Sequence, residues 1–179
     1  LDCLDYAGLD ALFAKYDNIK GIIHFAASKA VGESVEKPLM YYRNNLVSLI
    51  NLLELMPKYG VEGIIFSSSC TVYGQPDILP VTEAAPTKVA ESPYGNTKQI
   101  NEEIIRDYVK SGAPVNAILL RYFNPIGAHP SALLGELPNQ EALRVYNPEE
   151  VEFGMYFPEL HVLNAVAAKT ENSPVKVGC

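Results

Sequence analysis

Three short apolar runs, each closed by small or polar residues, set the rhythm of the first two-thirds of the chain. They are Gly21 to Ala27 (GIIHFAA), Val61 to Ser67 (VEGIIFS) and Val115 to Phe123 (VNAILLRYF). Runs of this length with little polar alternation are expected as strands buried on both faces, as in a parallel sheet. Between them the pattern takes a helical period. Ala7 to Tyr16 places Leu9, Leu12 and Phe13 on one side. Lys37 to Lys58 has Pro38 near its start and Gly60 past its end, the usual asymmetry of helix boundaries. Pro93 opens a further helix to about Lys110, stopped by Ser111-Gly112. Pro76, Pro80, Pro86 and Pro93 punctuate residues 74 to 93, which are expected as an ordered loop. This alternation predicts an α/β fold with a parallel sheet. From about Ser131 the periodicity weakens. A short helix over Pro158 to Lys169 and a strand fragment over Val175 to Val177 are the expectations there.

Composition narrows the function classes. A chain of 179 residues, 48% hydrophobic and 20% charged, is long enough for one domain with a sizeable core. The net charge of −7, without a basic run, argues against nucleic acid or anionic membrane as a partner. No apolar run approaches the roughly 20 residues needed to span a bilayer. The N-terminus lacks the basic and apolar regions of a signal peptide. Cys3, Cys70 and Cys179 are too scattered for a disulfide framework or a zinc site, and His129 and His161 lack partners at metal spacing. No metal is expected, and a reducing cytoplasm is the default location.

The chemistry collects at the ends of the strands. The first run ends at Phe25-Ala26-Ala27, the second at Ser67-Ser68-Ser69, the third at Phe123-Asn124. In doubly wound sheets, ligands sit outside the carboxyl ends of the strands, so the three clusters point to one crevice. Tyr94 and Lys98, four residues apart on the helix from Pro93, share a face. A neighbouring ammonium favours phenolate, so Lys98 is expected to lower the Tyr94 pKa. A serine hydroxyl from the strand end could share the proton. That set suits removal of a proton from a sugar hydroxyl while hydride leaves for a nicotinamide. Ser67 and Ser68 are expected as a polar turn, Cys70 as a small buried thiol, His24 as a core histidine and Tyr41-Tyr42 as packing.

The segments IHFAASKAVGESVEKPLMYYRNN, FSSSCTVYG, SPYGNTK and LRYFNPIGAHPS, in that order, resemble the UDP-glucose 4-epimerases of the extended short-chain dehydrogenase/reductase superfamily. The resemblance covers roughly residues 2 to 139. It implies a Rossmann-like, doubly wound parallel sheet over 1–130 that binds NAD. Residues 131–179 would be an incomplete substrate-binding region. The implied activity is interconversion of UDP-glucose and UDP-galactose by transient oxidation at sugar C4 through a 4-keto intermediate. Tyr94 would be the general base, Ser69 would bridge the 4-hydroxyl and the phenol, and Lys98 would bind the nicotinamide ribose. Asp2 and Cys3 would lie near the adenine. Phe25, Ala26, Ala27, Ser28, Lys29 and Asn44 would line the cofactor, with Asn45 a rival to Asn44. Phe123 would flank the nicotinamide, and Lys29 and Asn124 would touch the UDP-sugar. The family often forms homodimers through paired helices.

Related dehydratases carry an acidic pair where this chain has Ser69-Cys70-Thr71, so epimerisation fits better than water elimination. The alternatives are a nucleotide-sugar epimerase acting on UDP-N-acetylglucosamine or UDP-glucuronate, and an inactive NAD-binding regulatory domain. One departure from the family pattern is the absence of a Gly-rich pyrophosphate turn. It leads to the expectation that the chain is a fragment, with the GIIHFAA strand left at an open sheet edge. The other departure follows Asn139, where only echoes of the substrate segment appear around Arg144 and His161.

Overall fold

Asp5, Ser69 and Ser92 each accept a backbone N–H at the start of the element that follows, and these caps punctuate the computed structural model. It describes residues 1–123 and the backbone of 175–178. The chain runs α1 (Tyr6–Lys15), β1 (Gly21–His24), α2 (Val31–Glu36), α3 (Pro38–Lys58), β2 (Gly63–Ser69), a 3₁₀ turn (Cys70–Tyr73), α4 (Pro93–Lys110), β3 (Asn116–Tyr122) and β4 (Val175–Gly178). Pro38 and Pro93 open α3 and α4, where the missing N–H costs nothing. The six-residue α2 was not expected. It has no side-chain cap and little periodicity, and Tyr41 on α3 holds it by donating to Glu33 Oε2 at 2.9 Å. No described helix is long and apolar enough to cross a membrane.

The strands form one parallel sheet in the order β1-β2-β3-β4, with Ile22 opposite Ile64 and Phe66 opposite Leu119. The strand expected over Val175 to Val177 is β4, beside β3. The expected helix over Pro158 to Lys169 lies outside the described residues. One core fills the angle between helices and sheet. Leu49, Leu52, Leu53 and Met56 of α3 meet Ile105 and Val109 of α4, Ile64 and Phe66 of β2, and Ala117 and Leu119 of β3.

Two expectations are corrected here. β1 is not buried on both faces: Ile23 is 64% exposed and Phe25 59%. The described helices pack on the sheet face that carries Ile64, Phe66 and Leu119, and among the described residues β1 borders only β2. Its apolarity is therefore half unused here, and it is the edge strand that was expected. On α1, Leu9 and Phe13 enter the core but Leu12 sits on the margin, because it lies about 100° round the helix from its neighbour Phe13.

Candidate active site

The Ser92 hydroxyl oxygen accepts the Gly95 N–H at 3.1 Å and fixes where α4 begins. That start aims Tyr94 and Lys98 at the carboxyl end of β2. Gly95 allows the approach, since a Cβ there would meet Thr71 and Ala90 at 3.3–3.4 Å. Lys98 is 3% exposed. Its ammonium donates to the Ser67 carbonyl at 2.7 Å and lies 5.0 Å from the Phe66 ring centroid and 5.7 Å from that of Tyr94. Burial pulls its pKa from 10.5 down to about 8. Ser69 accepts the Thr71 N–H at 3.2 Å and is hydrogen-bonded to the Tyr94 phenol. Ser69, Tyr94 and Lys98 are thus brought together as the spacing implied.

The expected charge effect on Tyr94 is corrected. Its pKa is raised, because burial outweighs the Ser69 hydrogen bond that favours phenolate. Cys70 adds to the rise, and the cation that opposes it is Lys29. The Lys98 ammonium donates to a backbone carbonyl and stands 5.7 Å from the centroid of the Tyr94 ring. Cys70 is also corrected: it is half-exposed rather than buried, because it begins the 3₁₀ turn beyond the sheet.

The remaining residues surround this centre unevenly. The Ser28 N–H donates to Asn45 Oδ1 at 2.8 Å, while Asn44 Nδ2 donates to Ser28 Oγ at 3.1 Å. Asn45 is fully engaged inside, donating also to the Ser28 carbonyl and Thr97 Oγ1, both at 3.0 Å. Asn44 is the half-buried one of the pair. Ala26 is exposed, and Ala27, Ser28 and Phe123 are half-buried. The Phe25 ring lies 5.8 Å from Tyr122, and Phe123 stacks on Tyr73 at 6.5 Å. Asp2 accepts the Leu4 N–H, and the Cys3 carbonyl accepts from Asn51 on α3, so both stand with the start of α1 and not beside Tyr94. Burial, then the charge of Asp2, raises the Cys3 thiol pKa. His24, on the core face, is held neutral, its pKa lowered to about 4 by burial and then by Lys98. Asn124 lies outside the described residues.

A buried ion pair was not anticipated. Arg121 donates to both oxygens of Glu102 at 2.9 and 2.7 Å, and Ser68 donates to the same carboxylate at 2.6 Å. Ser68 is therefore an anchor and not only a turn. The available signal was an arginine inside an apolar strand, facing a helix with a glutamate one turn beyond Lys98.

A half-buried phenol with a hydroxyl partner, flanked by two lysines, can exchange a proton with an alcohol. The sequence profile of the NAD dependent epimerase/dehydratase family matches residues 1–149. The curated UDP-glucose 4-epimerase of Mus musculus is 55% identical over 138 residues, covering 77% of this chain and 40% of that protein. Among solved structures, the UDP-glucose 4-epimerase from Bifidobacterium longum in complex with NAD+ and UDP is 52% identical with a TM-score of 0.73. It covers 76% of this chain and 40% of its own. The enzyme from Stenotrophomonas maltophila with bound NAD and formylated UDP-arabinopyranose is 45% identical with a TM-score of 0.74, over 78% of this chain and 41% of its own. The chain spans about 40% of the length of the relatives it matches.

Proposed function

The chain belongs to the NAD dependent epimerase/dehydratase family, and on that footing we propose that it carries the proton-transfer and cofactor-binding part of a UDP-glucose 4-epimerase. The observation that carries the reading is the Ser69–Tyr94 hydrogen bond at the end of β2, with Lys98 one helical turn away. The names of its relatives support UDP-glucose and UDP-galactose as the interconverted pair. Residues 1–130 would form the NAD-binding portion and 131–179 part of the substrate-binding region.

The residues fit a dinucleotide. A lysine ammonium has three donors, so Lys98 can serve ribose hydroxyls as well as the Ser67 carbonyl. Thr71 Oγ1 is buried without a hydrogen-bond partner, a group that a ligand hydroxyl would satisfy. Exposed Phe25 and half-buried Phe123 offer apolar faces at the strand ends, and Asp2, Cys3, Ala26, Ala27, Ser28, Lys29 and Asn44 complete the proposed lining. When bound, NAD supplies a hydride acceptor and donor for sugar C4.

Tyr94 takes the proton of the sugar 4-hydroxyl through or beside Ser69, and returns it when the opposite configuration forms. The raised phenol pKa leaves Tyr94 protonated at rest; it serves as a base after releasing that proton to solvent, an ionisation that burial opposes and the charge of Lys29 favours. Lys29 and Asn124 would face the UDP-sugar. On α3, Met40, Val47 and Ile50 form an exposed stripe, which supports pairing of this helix in a homodimer. Cys3 and Cys70 stand outside any disulfide, which suits a reducing cytoplasm.

The test is interconversion of UDP-glucose and UDP-galactose by the full-length protein and its Tyr94→Phe variant. Loss of acid/base catalysis lowers kcat by on the order of 10²- to 10⁴-fold. A Tyr94→Phe enzyme with wild-type kcat would overturn the assignment.

A further inference from the structure

Glu102 sits one helical turn beyond Lys98 and is 1% exposed. Its Oε1 accepts from Ser68 Oγ at 2.6 Å and Arg121 Nε at 2.9 Å. Its Oε2 accepts from Arg121 Nη2 at 2.7 Å and pairs with Arg106 Nη2 at 3.1 Å. One carboxylate therefore ties α4 to β2 and β3 at once. A buried ion pair adds little net stability, because desolvation offsets the attraction. Its place along the strands is more telling. Ser68 and Arg121 are register partners, one pair before Ser69 and Tyr122, where the strands end. The fork thus stands directly behind the site. Ser68 precedes Ser69, the partner of the Tyr94 phenol. The Arg121 guanidinium lies 4.7 Å from the Tyr73 ring centroid, and Tyr73 in turn stacks on Phe123.

We infer that Glu102 is a positioning residue for the proposed reaction. Through Ser68 and Arg121 it sets where the Ser69 hydroxyl and the Phe123 ring stand relative to Tyr94 and Lys98. The inference rests on the epimerase reading. Its geometric content, the Ser69–Tyr94 contact, can be read without turnover.

The experiment uses the full-length protein with Glu102→Gln, Ser68→Ala and, as a control on the same helix, Val109→Ala. Steady-state kinetics is paired with titration of the Tyr94 phenol, taken as the ultraviolet difference against each variant in a Tyr94→Phe background. Misplacing reacting groups by a fraction of an ångström lowers kcat of Glu102→Gln by on the order of 10- to 100-fold, with KM within about twofold. The phenol titration moves to higher pH, because the Ser69 hydrogen bond that favours phenolate is weakened. The other groups acting on that phenol, Lys29 and Cys70, are untouched, as are Tyr41 and Lys98 beside it. Val109→Ala lowers stability and leaves kcat and titration unchanged. Glu102→Gln with wild-type kcat and titration, and only a lower melting temperature, overturns the inference. Should Glu102→Gln not fold, Ser68→Ala decides by the same two readouts, in the same direction and smaller in size; no change in either overturns it. A wild-type protein without interconversion would remove the epimerase reading, and the phenol titration would still decide whether Glu102 positions Ser69.

Discussion

Replacing Lys98 with methionine should make the protein more stable at pH 7 while removing its activity. The ammonium is 3% exposed, and burial brings its pKa from 10.5 to about 8. At about 1.4 kcal/mol per pH unit, that gap represents about 3 kcal/mol of folding stability forgone while the group is charged. The sign follows from proton counting. Between about pH 8 and 10.5 the unfolded chain holds a proton that the folded chain has released, so stability rises with pH across that window. Below about pH 8 both states are protonated and the full cost applies. Methionine fills a similar volume without charge, but loses the charge-assisted hydrogen bond to the Ser67 carbonyl, worth about 2 kcal/mol. The net expectation is a gain of about 1 kcal/mol at pH 7. Urea unfolding of wild type and Lys98→Met at pH 7, 9 and 10.5, with unchanged m-values, measures it. The advantage of the variant should shrink as pH rises. A less stable Lys98→Met at pH 7, or a difference that does not vary with pH, would refute the electrostatic argument. A buried cation kept at such a cost is the signature of a site that trades stability for function.

His24 gives the opposite limb. Its folded pKa of about 4 lies below the ordinary 6.5, so stability falls as pH drops through that window, by up to about 3 kcal/mol at pH 4. His24→Phe should flatten this acid limb in urea unfolding at pH 7 against pH 4.5. Gly74 has φ of 54° and a Cβ there would stand 2.9 Å from the Val89 carbonyl oxygen. Gly74→Ala should therefore cost about 1–3 kcal/mol and speed proteolytic cleavage between residues 75 and 91; an unchanged cleavage rate would contradict the strain. For the pair at the centre of the site, the proposed roles, in which the serine passes the proton and the phenol holds it, predict that kcat responds far more to Tyr94→Phe than to Ser69→Ala.

Much of the fold is legible in the chain because its signals are local. The prolines at positions 38 and 93 and the glycine at 60 mark helix boundaries without reference to the rest of the protein. The apolar runs identify β1, β2 and β3 to within two or three residues. The short helix α2 escaped because six residues carry too little periodicity, and its stability comes from Tyr41 on another helix. The exposure of Ile23 escaped because apolarity reports what a strand can bury, and not whether a neighbour is there to bury it.

The same division runs through the site. Spacing along one helix was sufficient to pair Tyr94 with Lys98, since positions four apart must share a face. The run of serines at a strand end placed a hydroxyl near them. What the ammonium does there was decided only by the tertiary structure. It turns to the Ser67 carbonyl, leaving burial to raise the phenol pKa and Lys29, far off in sequence, to oppose the rise. The Glu102 fork is likewise a product of register, since Ser68 and Arg121 face each other only once β2 and β3 align. Residue types and short spacings are written in the chain; burial and the partner of each charge depend on residues brought together from far apart, and these set the chemistry.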